Sequence, residues 1–279
     1  SPSTEIRLLT EGFEKLMEDE DEDYKSLLKE YLTEELFEKV KDLKTSYGGT
    51  LYDQIKSGLT HFDQEIGIFA SDPNAYEIFD ELFAPVLEDL HDVEAGSTHP
   101  ELQLGDPNDL DDLDPEKLFI KSITITVNRA IKDYAFMPII PLDKIVSVEK
   151  KIKEALFKIE DEDFKGSYHT YIDIEEDQLK QWIEDGTVFP PAIDKNLKAA
   201  ETFRFWSKCR GVFINDKNNY RVWVNEQEQL QIIVNEDGGN LKEAYARLLK
   251  VLSYLSDLQF ERHPRWGFLA HNLKNIGTT

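Results

Sequence analysis

Ser122-Ile123-Thr124-Ile125-Thr126-Val127 sets an apolar β-branched residue at every second position with threonine between, the alternation of a strand that buries one face. Residues 211–215 and 220–225 are also strand-like, and Asp216-Lys217-Asn218-Asn219 between them is turn chemistry, so the two runs read as a hairpin. Residues 230–234 read as another strand. Asn240 followed by Glu243 is a capping box that opens a helix with the stripe Ala244, Leu248, Leu252 and Leu255. Strands and helices come in mixed order. That predicts an α+β fold for residues 118–279, an antiparallel sheet flanked by helices and not a doubly wound parallel one.

Upstream the period is three to four. Leu27, Leu28, Tyr31 and Leu32, then Leu36, Phe37 and Val40, mark amphipathic helices. Asp72-Pro73 predicts an N-cap with proline at the first helical position, ahead of one stripe: Ile78, Phe79, Leu82, Phe83, Val86, Leu87 and Leu90. Residues 1–92 are therefore expected to form a small all-helical N-terminal domain. The run Glu18-Asp19-Glu20-Asp21-Glu22-Asp23 repels itself and predicts an exposed loop or helix end. Residues 93–117, punctuated by Gly96, Pro100, Gly105, Pro107 and Pro115, predict an acidic linker. Its Asp109, Asp111, Asp112 and Asp114 lack the sixth-position Gly and twelfth-position Glu of an EF-hand, so a solvated loop is expected.

The 279 residues carry 32 Lys+Arg against 56 Asp+Glu, a formal net charge of −24. Such a surface repels phosphate backbones and anionic headgroups, which sets nucleic acid and membrane aside as partners. No apolar run reaches the roughly 18 residues of a membrane span, and the N-terminus lacks a basic segment followed by an apolar one; a cytoplasmic protein is expected. The single cysteine, Cys209, excludes an internal disulfide and a cysteine-based zinc cluster. His61, His91, His99, His169, His263 and His271 are scattered, with no H-E-x-x-H pair, and no metal site is expected.

Thr45-Ser46-Tyr47-Gly48-Gly49-Thr50-Leu51, Ser57-Gly58, Gly67-Ile68-Phe69-Ala70 and Asp72 resemble the helical N-terminal domain of arginine kinases. Phe203-Arg204-Phe205-Trp206, Arg210-Gly211, Val222-Trp223-Val224-Asn225-Glu226, Gly238-Gly239, Gly267-Phe268-Leu269 and Asn275-Ile276-Gly277-Thr278-Thr279 resemble the phosphagen kinase catalytic domain. The likeness runs nearly end to end in matching order, nearer to arginine kinase than to creatine kinase. It implies a helical domain packed on an antiparallel sheet, and in-line transfer of the γ-phosphoryl of MgATP to a guanidinium nitrogen without a covalent enzyme intermediate. Such catalysis is positioning plus charge neutralisation. Arginines must hold phosphate oxygens, and carboxylates must orient and deprotonate the guanidinium beside a thiolate.

Measured against that resemblance, the chemistry has gone. Where the family reads S-T-R-V-R, this chain has Ser122-Ile123-Thr124-Ile125-Thr126, with threonine in place of both phosphate arginines. The family's N-E-E-D-H-L-R is here Asn225-Glu226-Gln227-Glu228-Gln229-Leu230-Gln231, so Gln227 replaces the catalytic carboxylate and Gln231 a third arginine. Gly186 stands for the histidine of D-D-H, and Asn272 for the cysteine of T-F-C-P-T-N. The substrate loop S-G-V-G-I-Y is Gln64-Glu65-Ile66-Gly67-Ile68-Phe69, without the small residues that leave room for a guanidino substrate. The sequence stops at Thr279, before the family's next phosphate arginine and the loop with its second catalytic carboxylate.

A general base is worth about 10²- to 10⁴-fold. Hydrogen bonds to charged groups are worth about 1.5–3 kcal/mol each, so three lost arginines remove on the order of 5–9 kcal/mol of phosphate binding. The surviving carboxylates Glu226 and Glu228 read as a solvated strand end that needs no metal. The expected function is an arginine kinase-like pseudoenzyme, inactive and without cofactor, acting as a structural or interaction component, for instance in a cytoskeletal or axonemal assembly. The alternative is a residual ATP:guanidino phosphotransferase using MgATP around Glu226 and Glu228. Protein partners are expected at residues 57–116, which lack Lys and Arg, or at Lys150-Lys151-Ile152-Lys153, read as the solvated side of a helix between Glu149 and Glu154.

Overall fold

The structure is a computed structural model that describes residues 2–20 and 25–278. Asp21, Glu22 and Asp23 of the acidic run lie outside the described residues; Glu18 closes the first helix, and Asp19 takes an ion pair from Lys29 at 3.2 Å.

The first unit is helical: α1 (Pro2–Glu18), α2 (Leu27–Tyr31), α3 (Glu34–Val40), α4 (Leu51–Thr60), α5 (Ala75–Ile78) and α6 (Asp80–His91). Side-chain caps start α2, α3 and α4. Thr33 Oγ1 accepts from Leu36 N, and Thr50 and Asp53 form a reciprocal capping box. Asp72 is fully buried; its Oδ1 accepts from Ala75 N at 3.1 Å and its Oδ2 from the hydroxyls of Thr45 and Ser71 at 2.7 Å each. The single stripe expected after Asp72 is split, because the buried Phe79 leaves helical geometry (φ −105°, ψ 27°) between α5 and α6.

The second unit contains β1 (Ser122–Arg129), α7 (Leu142–Phe157), β2 (Gly166–Thr170), α8 (Glu176–Glu184), α9 (Lys195–Ala199), β3 (Gly211–Asn215), β4 (Tyr220–Val224), β5 (Leu230–Asp237), α10 (Leu241–Tyr254), β6 (Arg262–His263) and β7 (Gly267–Phe268). Its five-stranded sheet has the order β1-β5-β4-β3-β2, and every neighbouring pair is antiparallel. Sequence reading missed β2, whose Gly-Ser-Tyr-His-Thr lacks apolar alternation. Helices α7 and α10 cover one sheet face through Ile145, Val148, Ile152, Leu248 and Val251, against Val127, Ile232 and Val234. Lys150 of α7 pairs with Glu154 at 3.8 Å on the solvated side of that helix.

Two findings revise the expected organisation. Trp266, Leu269, Ala270, Leu273 and Ile276, from the far end of the chain, are built into the hydrophobic core of the first unit, so residues 118–279 serve both cores. The acidic segment is mostly exposed, but it is tied down near its end: Leu113 N donates to Gly239 O, and Asp114, 5% exposed, accepts from the backbone N–H groups of Leu118, Phe119 and Ile120. Once buried, that carboxylate has to find donors, and the turn after it supplies three. Among the described residues no helix is long and apolar enough to cross a membrane.

Leu273→Ala should therefore destabilise the protein by about 2–5 kcal/mol in urea unfolding, whereas Val146→Ala, at a 47%-exposed site, should stay within about 0.5 kcal/mol.

Candidate functional site

The antiparallel register puts Thr124 opposite Asn235, Thr126 opposite Ile233 and Asn128 opposite Gln231. Directly paired residues share a face, so Thr124, Thr126 and Gln231 lie together on the sheet face away from α7 and α10; Gln227, which the family resemblance sets with them, falls outside the strands. Two of these groups have side-chain partners on the sheet: Thr124 Oγ1 donates to Asn235 Oδ1 at 3.0 Å, and Gln231 Nε2 donates to Asn128 Oδ1 at 2.7 Å. Arg221 of β4 pairs with Ile233 and so lies on the same face, a guanidinium that sequence reading missed; the alternation in Tyr220-Arg221-Val222-Trp223 would have placed it there. Gly186 follows α8 with φ +71°, the left-handed geometry that ends a helix and favours glycine.

Gln227 lies in the turn between β4 and β5, where Asn225 N donates to Gln229 O and Asn225 itself has φ +55°. Its Oε1 accepts from Asn272 Nδ2 at 2.7 Å. Beside this pair is a cleft of about 330 Å³, lined among others by Gln64, Glu65, Phe69, Asp194, Gln227 and Asn272. The structure thus assembles Gln64, Glu65, Ile66, Phe69, Gln227 and Asn272 around one cleft. Gln64 folds back onto the carbonyls of Ser57 and His61, and Lys274 bridges to Glu65 at 2.5 Å. Gly67 takes φ +81° where the loop runs against α4; a Cβ on Gly58 would come within 2.5 Å of Gly67 O.

The carboxylates are not on a solvated strand end, contrary to the sequence reading. Glu228 is 3% exposed: its Oε2 accepts from His271 N at 2.8 Å, its Oε1 from Asn272 N at 2.9 Å and from Asn275 Nδ2 at 3.1 Å. Burial pushes its carboxyl up to about 7 against the opposing pull of these donors. Glu226 is partly buried, and burial raises its carboxyl as well, with the Arg210 guanidinium working the other way. The neighbouring His271 is fully enclosed and pushed down to about 4 by burial; its Nδ1 donates to Ala70 O at 2.6 Å, and its Nε2 accepts from the Thr202 hydroxyl at 2.7 Å. Sequence reading missed His271 because its role exists only where three distant segments meet.

Among the described residues no group of three or more His, Cys, Asp or Glu side chains is arranged to hold a metal ion. At the three positions where the resemblance implies phosphate arginines, Thr124, Thr126 and Gln231 carry no charge, and the guanidinium on this face is that of Arg221 instead. Its buried Nε meets no hydrogen-bond acceptor among the described residues.

The architecture, a helical domain joined to an antiparallel sheet with flanking helices and a cleft between them, is that of the phosphagen kinases. The sequence profile of the ATP:guanido phosphotransferase N-terminal domain matches residues 22–88, and that of the C-terminal catalytic domain matches residues 147–279. The chain belongs to the ATP:guanido phosphotransferase family. It is 40% identical over 261 residues to a probable arginine kinase of Caenorhabditis elegans, covering 92% of this chain and 72% of that protein. It is 38% identical over 273 residues to the arginine kinase of Limulus polyphemus, covering 97% and 75%. The duplicated taurocyamine kinase of Schistosoma mansoni, solved with bound transition state analog components, superposes with a TM-score of 0.89 at 29% identity, over 98% of this chain and 37% of that one. This chain thus spans little more than a third of that duplicated protein. A lombricine kinase, at 24% identity and TM-score 0.85 over 91% of this chain and 71% of that one, shares the fold.

Glu228 and His271 titrate in opposite senses. A carboxyl whose folded value is raised contributes stability below its unfolded value, lost as pH rises through about 7; a histidine whose folded value is lowered contributes stability above its unfolded value, lost as pH falls toward about 4. Glu228→Gln keeps the His271 term and removes the other. The stability of Glu228→Gln relative to the parent should accordingly rise from pH 5 to pH 8 in urea titrations; a flat difference would contradict the raised carboxyl.

Proposed function

We propose that this chain keeps the phosphagen kinase scaffold without phosphoryl transfer and acts as a structural or interaction component. One observation carries this reading: Gln227 and Asn272, at the positions of the family's base and thiolate, are hydrogen-bonded to each other at 2.7 Å. An amide oxygen cannot take a guanidinium proton at neutral pH, and an amide nitrogen is no thiolate. The threonines and glutamine on the sheet face extend the same pattern to the phosphate positions. The relatives named arginine kinase give the family; the loss of charge at these positions is what separates this chain from transfer chemistry in our reading.

A retained fold with a neutralised site has its outer surface left to work with. Protein partners are the proposed ligands, in a cytoplasmic setting such as a cytoskeletal or axonemal assembly, with the acidic residues 93–117 as one contact region. Attraction there depends on exposed charge and weakens with salt.

Purified protein should show no transfer above background between MgATP and arginine in a coupled assay, and MgADP should not raise its melting temperature, since a ligand stabilises in proportion to occupancy. Turnover that disappears in Glu226→Gln would overturn the reading in favour of a residual phosphotransferase. Crosslinking in native extract should yield reproducible, salt-sensitive protein contacts at residues 93–117.

A further inference from the structure

One wall of the cleft comes from a segment without a core of its own. Asp194 and Asn196 line the cleft, yet α9, which begins at Lys195, has no buried residue. The segment is anchored at both ends. Upstream, Val188 and Phe189 are enclosed in an aromatic cluster with Tyr171, Trp206 and Trp223; downstream, the fully buried Thr202 is bonded to His271. Between the anchors the chain runs across the joint to α4 of the first unit.

There it meets an ammonium that has left water. The Lys56 side chain is 6% exposed, held between Asp53 Oδ1 at 3.3 Å and the Glu201 carboxylate. Its neighbour Ser57 donates from Oγ to Asn196 O at 2.7 Å. Glu201 itself takes φ +58°, a left-handed conformation that a non-glycine residue holds only when its surroundings fix it. The outer pair Lys195–Asp63, at 2.6 Å, is exposed on both sides and contributes little. A buried cation is costly unless paired, so lifting the segment would strip Lys56 of one of its two carboxylates.

We propose that residues 190–201 are a strap, latched across the joint between the two units by Lys56 and Ser57, which fixes the shape of the cleft. Asp194 nucleates the strap's helix by accepting from Asn196 N and Leu197 N, Lys56 and Ser57 fasten it, and Thr202 ties its end to His271. The strap stands apart from the question of transfer chemistry: it is read by backbone exchange, and loss of activity by turnover.

Hydrogen exchange tests it at the amides of Lys198, Ala200, Glu201 and Thr202, which donate to carbonyls within the strap. Lys56→Met with Ser57→Ala, and separately Glu201→Lys, should each speed their exchange by at least about threefold while α10 is unchanged, the signature of local opening. Should the double variant loosen α10 as well, Glu201→Lys decides, because that side chain is 55% exposed. Acceleration of less than about threefold in Glu201→Lys, or free-peptide exchange of the strap in the unmodified protein, would overturn the proposal.

Discussion

A carboxylate that has left water holds the two units together. Glu228 stands two residues before Leu230, which enters the sheet core, and its three donors belong to His271, Asn272 and Asn275, whose neighbours Ala270, Leu273 and Ile276 are packed in the helical core. Depriving a buried carboxylate of such partners costs several kcal/mol, so the end of the chain cannot leave the first unit while the fold persists. The cleft lies where it does because this junction sets Asn272 against Gln227. His271 extends the junction to Ala70 and Thr202, which brings the strap's end into the same network.

Two guanidinium groups of the second unit are directed inward. Arg129 stacks over Phe268 at 3.8 Å and Arg210 over Trp206 at 5.0 Å, and burial pushes both guanidinium groups down to about 10. These cations hold the fold: Arg210 NH groups donate to the carbonyls of Thr202, Arg204 and Lys208. On the open sheet face, by contrast, amides and hydroxyls pair with one another, and Arg221 is the guanidinium that the strands of the sheet bring there. A formal charge of −24, with Glu65 and Asp194 against Lys274 in the cleft lining, is poorly suited to gather a polyphosphate and well suited to meet basic protein surfaces. That supports the proposed interaction role and leaves the scaffold's packing intact.

Much of this was legible in the sequence because it is local. The alternation from Ser122 to Val127, the turn at Asp216 to Asn219 and the cap at Asn240 each depend on a few neighbouring residues, and the family likeness rests on short motifs in order. The register sets Thr124, Thr126 and Gln231 on one face, as strand period requires of paired residues, while Gln227 falls in the turn between β4 and β5, beyond the reach of that period. Tertiary structure alone decided what depends on burial. It placed Asp114 and Glu228 out of water, where a string of acids reads as solvent-exposed, because the donors that make burial tolerable come from residues apart in sequence. It sent residues 266–276 into the helical core, and it set Lys56 against Glu201 across 145 positions of chain, pairings for which hydrophobic period carries no signal.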